Sequence, residues 1–280
     1  EMATQEPLTA YLEIQNELAL KDWGKRVLKP YMSAMGQAID AQFMTLAKNA
    51  VYNAVGTAVS TVYDTATMSS AREKLKKNLS PMDEELNLII ESTAMSSAYN
   101  ARKGLFQSST EIAKQYRSGV IGIADGFNYI ESNLLPLHTR GTQTGTITLS
   151  GTAAEAATTL AFTGTSGGTL LKGDVFTVAN VFAVHPITKV TQNYLQQFVV
   201  TANNTASSTA YSAVAISPTV YAASGGLQNI NRVPTSADVV TLVGSLNTGY
   251  QQQLAFNKQA FRVASVPLMK PSGAHMTGQE

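Results

Sequence analysis

The chain has 280 residues, a formal net charge of +1, and only 14% charged residues against 44% hydrophobic ones. Ordinary globular chains carry about 25% charged residues, so this one keeps little solvated surface per residue, as suits faces covered by neighbouring subunits. The near-neutral balance excludes a dedicated basic nucleic-acid binder, the absence of cysteine excludes disulfides and thiolate metal sites, and no run of about 18 apolar residues marks a transmembrane helix.

The start, Glu1-Met2-Ala3-Thr4-Gln5, lacks a basic region followed by an apolar one, so no signal peptide is read there. Because it opens on Glu, the sequence is expected to be a piece or a processed form of something longer. Thr9–Gln15 alternates in part and predicts an extended strand. Asp22 is a good helix N-cap, and Pro30 suits the first turn of a long helix or kinks it. From there Met32, Met35, Ile39, Phe43, Leu46, Ala50 and Ala54 recur at spacings of three and four, one apolar stripe of an amphipathic helix ending near Gly56. Its methionines are read as gap-filling core.

A second helix is expected from about Ser69 to Asn78, stopped by Ser80-Pro81. Lys74, Lys76 and Lys77 read as its solvated face. Leu86–Ile90 is a short apolar run that suits a buried strand. Ser92 is expected to cap a helix through Tyr99, and Ser109 or Thr110 another through Tyr116. Gly119 to Ile130 reads as strand, turn, strand, with bends at Gly122 and Gly126.

Composition divides the chain. Residues 1–140 hold 29 of the 39 charged residues, whereas 141–226 hold only Glu155, Lys172, Asp174 and Lys189. That middle stretch is rich in Thr, Ser, Gly, Ala and Val, with short strand patterns such as Thr146–Leu149, Asp174–Val178, Phe198–Val200 and Ala213–Ile216 between Gly and Asn turns. Many short strands separated by turns predict a small barrel or sandwich. Its foreign composition marks it as a domain inserted into another, with Gln253–Phe256 and Phe261–Leu268 resuming the first.

Catalytic patterns are missing. His138, His185 and His275 stand at no metal-ligand spacing from one another. Gly164–Gly168 lacks the Gly-Lys-Ser/Thr ending of a phosphate loop and reads as a hairpin tip. Asp83, Glu84 and Glu85 suit a helix start or solvated turn. No catalytic, cofactor-binding or metal residue is assigned, no cofactor is expected, and the chain is not expected to be an enzyme.

Two stretches carry a family resemblance: Tyr116 to Phe127 continuing through Ser132 to Gly141, with its Leu135-Pro136-Leu137-His138-Thr139-Arg140-Gly141 segment, and Leu254 to Ala264 ending in Pro267-Leu268. Both resemble major capsid (coat) proteins of tailed bacteriophages, in the branch of short-tailed enteric phages whose coat carries an extra β-barrel. The resemblance implies an α+β fold of the Hong Kong 97 capsid type. On it, 1–23 is the returning part of the extended loop, and 24–140 the spine helix (Met32 to Val55) with the first part of the peripheral and axial domains. Residues 141–226 are then the inserted barrel, and 227–280 the second part of the axial and peripheral domains. It further implies an icosahedral shell of hexamers and pentamers around double-stranded DNA held non-specifically. The expected partners are copies of itself, a scaffolding protein, a portal protein and a decoration protein, with no membrane; the expected place is the virion, assembled in the host cytoplasm. The family's N-terminal arm, outgoing loop half and last peripheral strand have no counterpart in these residues, and no motif supports a Lys–Asn cross-link. The alternatives are an encapsulin-type compartment shell and a β-rich adhesion protein of phage or bacterium.

Overall fold

The computed structural model describes residues 24–56, 64–81, 85–102, 110, 117–119 and 121–262. The strand expected at Thr9–Gln15, the resuming segment beyond Arg262 and, apart from Thr110, the helix expected to end at Tyr116 lie outside these residues.

The first helix, α1, spans Lys29–Ala50 behind a π-helical turn at Gly24–Leu28, with Pro30 in its first turn. The helix ends earlier than the spacing predicts. Val51 is already extended (φ −85°, ψ 120°), and the backbone of Ala54 takes its hydrogen bonds from elsewhere, as described below. Helix α2, Thr65–Lys77, starts earlier than expected, because the Asp64 side chain accepts from Thr67 N and so satisfies one orphan donor. Helix α3, Ser92–Ala101, is capped by Glu91, whose carboxylate accepts from Ala94 N, rather than by Ser92. Ser92 Oγ donates to Asn133 instead.

The scaffold sheet contains β1 (Leu86–Ile90), β2 (Ile123–Ala124), β3 (Phe127–Glu131) and β14 (Leu254–Asn257), in the order β14-β1-β3-β2. All five residues of β1 are buried, the polar Asn87 among them, as suits a mostly apolar strand covered on both faces. β1 pairs parallel with β3 and antiparallel with β14, Leu88 opposite both Tyr129 and Ala255. Strands from before and after residues 137–251 therefore share one sheet. The turn Asp125-Gly126 joining β2 to β3 has both residues at positive φ (53° and 80°), the geometry that a two-residue hairpin needs to match strand twist. Helices α2 and α3 supply Met68, Ala94, Met95 and Ala98 to the core over this sheet.

The second body is a closed six-stranded barrel in the order β11-β6-β5-β12-β8-β9. Its strands are β5 (Ile147–Leu149), β6 (Ala157–Thr163), β8 (Val175–Val184), β9 (Thr191–Val200), β11 (Ala210–Val220) and β12 (Val239–Leu242). Closure leaves no edge strand to aggregate. Inside, Phe162 meets Phe176 edge-on at 5.5 Å, and Phe176 stacks on Phe198 at 5.6 Å. A small ribbon of β7 (Thr169–Leu170) and β10 (Asn204–Thr205) lies beside it.

Two expectations need correction. The composition shift at residue 226 falls inside the barrel, since β12 closes it between β5 and β8. Charge returns earlier than the barrel ends because Arg232 and Asp238 form an ion pair on the β11–β12 connection. Gly164–Gly168 joins β6 to β7, which are not partners, so it is a connection and not a hairpin tip.

Candidate functional site

Chain enters the barrel through β4 (Leu137–Thr139) and leaves it through β13 (Gly249–Gln251), and these two strands pair antiparallel, His138 opposite Tyr250. The two crossings of the insertion thus form one ribbon. Around it the barrel is held to the scaffold by side chains from four elements.

His138 lies at the centre of this junction. Its Nε2 is 2.9 Å from Asp174 Oδ1, and Lys48 Nζ, near the end of α1, is 3.4 Å from its Nδ1. An ammonium only donates, so Nδ1 accepts and Nε2 carries the proton given to Asp174. Asp174 is 1% exposed. Its Oδ2 also accepts from Leu171 N at 2.8 Å and Gly141 N at 3.2 Å, which compensates the cost of burying a carboxylate. The neighbouring Gly173 sits at φ +98°, and a Cβ there would come within 3.2 Å of the His138 ring and 3.1 Å of Asn49 Oδ1. Only glycine fits this close approach.

A second tie is an amide clamp. Ala54 N donates to Gln197 Oε1 at 3.0 Å, and Gln197 Nε2 donates to Ala54 O at 2.9 Å. A side chain of β9 so imitates a strand partner for the segment after α1. A third tie is aromatic: the ammonium groups of Lys74 and Lys77 lie 4.8 and 4.9 Å from the Tyr194 ring centre. These two lysines are thus anchors to the barrel and not simply a solvated face, while Lys76 is exposed. Burial and then the neighbouring Lys77 push the Lys74 ammonium below its usual pKa.

The scaffold has its own polar core. Arg102, buried, donates to Asp125, to Tyr129 Oη at 2.5 Å and to Ala98 O at 2.8 Å. Burial drives the Tyr129 phenol far above its ordinary pKa, and its hydroxyl donates to Asp125.

The outer face of α1 is the largest departure from expectation. Much of the stripe read as core is exposed: Met32, Met35, Ile39 and Leu46, with Leu28 and Tyr31 beside them, are each 47–64% accessible, while Phe43 is half-buried with its ring centre 5.0 Å from that of Phe261, and Ala47 is the buried residue of the helix. At 100° per residue these six fall on one side of the helix, over about 27 Å at 1.5 Å per residue. The sequence pattern is therefore real, but among the described residues nothing covers these six side chains.

The other sequence candidates are dispersed. His185 Nδ1 accepts from Ile187 N and Thr188 N and shapes the β8–β9 turn. His275, Asp83 and Glu84 lie outside the described residues, and Glu85 is exposed. Among the described residues, no group of three or more His, Cys, Asp or Glu side chains is placed to hold a metal, and no helix is long and apolar enough to cross a membrane. Sequence reasoning missed Lys48, Tyr194 and Gln197, for which no local motif exists.

No protein-family model and no curated protein matches this chain. Among solved structures, the CUS-3 coat protein I-domain matches at 27% identity, over 36% of this chain and 98% of that one, with a TM-score of 0.28. The chain is similar to part of a coat protein over about a third of its length.

Proposed function

We propose that this chain is a major coat subunit of a tailed phage, assembling through hexamers and pentamers into an icosahedral shell around double-stranded DNA, on a scaffold of the Hong Kong 97 type. The observation that carries this reading is the shared sheet: β1 and β14 pair directly although a complete barrel lies between them in sequence. The exposed stripe on α1 supports it further, because contiguous apolar surface of this extent marks an interaction face. Contacts that are weak one at a time become a stable shell when repeated over many copies. Packaged DNA would be met without base-specific contacts, as a net charge of +1 suits. Scaffolding, portal and decoration proteins are the partners such assembly calls for.

A single substitution tests the use of the stripe. Ile39→Lys places a charge at its centre on an exposed position, so subunit stability should change by no more than about 0.5 kcal/mol. Sedimentation velocity of the wild type should show capsomers or larger particles, and the variant should remain a monomer. A wild type that never associates, or a variant that associates equally well, contradicts the proposal.

A further inference from the structure

Between the end of α1, helix α2, the β1/β14 edge, the β4/β13 ribbon and the barrel lies a cavity of about 710 Å³. That is within the usual range of roughly 300–1,000 Å³ for small-molecule sites. Its walls include Met44, Val51, Leu75, Val175, Val243 and Leu254, all only half-buried. The packing therefore leaves apolar surface from four different elements, and from the chain just after α1 and β12, facing a common space. An inorganic ion would leave these walls uncovered, whereas an aliphatic chain would cover them.

The polar groups at the cavity are unevenly matched. Its carboxylates, Asp64 and Glu91, are engaged in capping α2 and α3. Its cations are Lys48 and Lys74, and among the described residues neither forms an ion pair with a carboxylate. Lys74 rests on the Tyr194 ring. Among the described residues, the hydrogen-bond partner of Lys48 is the His138 ring nitrogen at 3.4 Å. Asp174, beyond His138, attracts it from a distance but is already occupied by His138 and two backbone N–H groups. Burial, the largest influence on Lys48, pushes its pKa down, as expected of a cation short of a counter-charge.

We propose that this cavity binds a single-chain amphiphile with a carboxylate head, the head paired to Lys48 beside His138 and the aliphatic tail lying along Met44, Leu75 and Leu254. Such a ligand would touch the scaffold and the barrel at once and so stiffen their junction. The inference is independent of the coat reading, since a chain that never forms shells could still bind it.

Isothermal titration calorimetry of the full chain with dodecanoate, kept below its micelle concentration, tests it. One dodecanoate per chain is expected, with affinity rising up to about fourfold for each methylene added between octanoate and dodecanoate. Acetate and dodecyltrimethylammonium should not bind measurably. Lys48→Met should weaken dodecanoate at least tenfold while leaving the melting temperature without ligand within a few degrees. Ala71→Phe, which fills the cavity from α2, should abolish binding in a chain whose circular dichroism is unchanged. No binding, equal uptake of the cationic amphiphile, or full affinity in Lys48→Met would each overturn the proposal.

Discussion

Gln197 on the barrel and Ala54 beyond helix α1 are joined by two hydrogen bonds, one in each direction, at 3.0 and 2.9 Å. The pair replaces the helical hydrogen bonds that Ala54 would otherwise make, which is why the apolar period continues to Ala54 while the helix stops at Ala50. Gln197→Leu keeps the side-chain size and removes both partners. It leaves a half-buried N–H and C=O unsatisfied, at a cost of about 1–3 kcal/mol. Hydrogen exchange should show faster exchange at Ala54 with the barrel core unchanged. Unchanged protection there would mean the clamp is inert.

The His138–Asp174 pair predicts an effect at least as large. Asp174→Asn puts an amide donor where backbone N–H groups or the His138 ring already donate. Losing the hydrogen bonds that neutral donors make to a buried carboxylate costs about 1.5–3 kcal/mol. Chemical denaturation should lower the stability of the variant by that order, more than His138→Gln does, because the latter leaves Asp174 its two backbone donors.

In the barrel core, Phe176 touches both Phe162 and Phe198 and is 1% exposed. Phe176→Ala removes that bridge and leaves a cavity, at about 3–5 kcal/mol. Thermal unfolding should show the barrel's transition at a markedly lower temperature. Phe256→Ala, in the half-buried contact of Phe256 with Phe261, should cost less.

Acid should weaken the barrel through Asp238. The Arg232 guanidinium hydrogen-bonds its carboxylate, and with Thr235 holds its pKa below the ordinary aspartate value, against the opposing effect of desolvation. The unfolded chain therefore binds this proton at higher pH than the folded one. Its stabilising share is complete above about pH 4, the ordinary value, and is lost as pH falls through the lowered folded value. Asp238→Asn has no such dependence, so the stability difference between wild type and variant should shrink between about pH 5 and pH 2. A constant difference over that window would contradict the assignment.

Much of this architecture is legible in local pattern. The β1 run, the hairpin at Asp125-Gly126 and the turn-rich barrel follow from periodicity and turn chemistry. The barrel's far boundary does not, because charge content was the guide and the Arg232–Asp238 pair places charge on barrel residues. The stripe on α1 shows the limit of periodicity: spacing identifies which face of a helix is apolar but not what covers it, and here Met32 and Met35 are exposed. Gln197, Tyr194 and Lys48 act across 143, 120 and 90 residues respectively, and separations of that size leave no trace in a local motif. Their partners are set by how the barrel packs on the scaffold.

Negative-stain electron microscopy of the expressed full chain, over a range of protein and salt concentrations, tests the central claim most directly. The account predicts closed shells or ring-shaped capsomers of repeated subunits. Monodisperse monomers under every condition would contradict it.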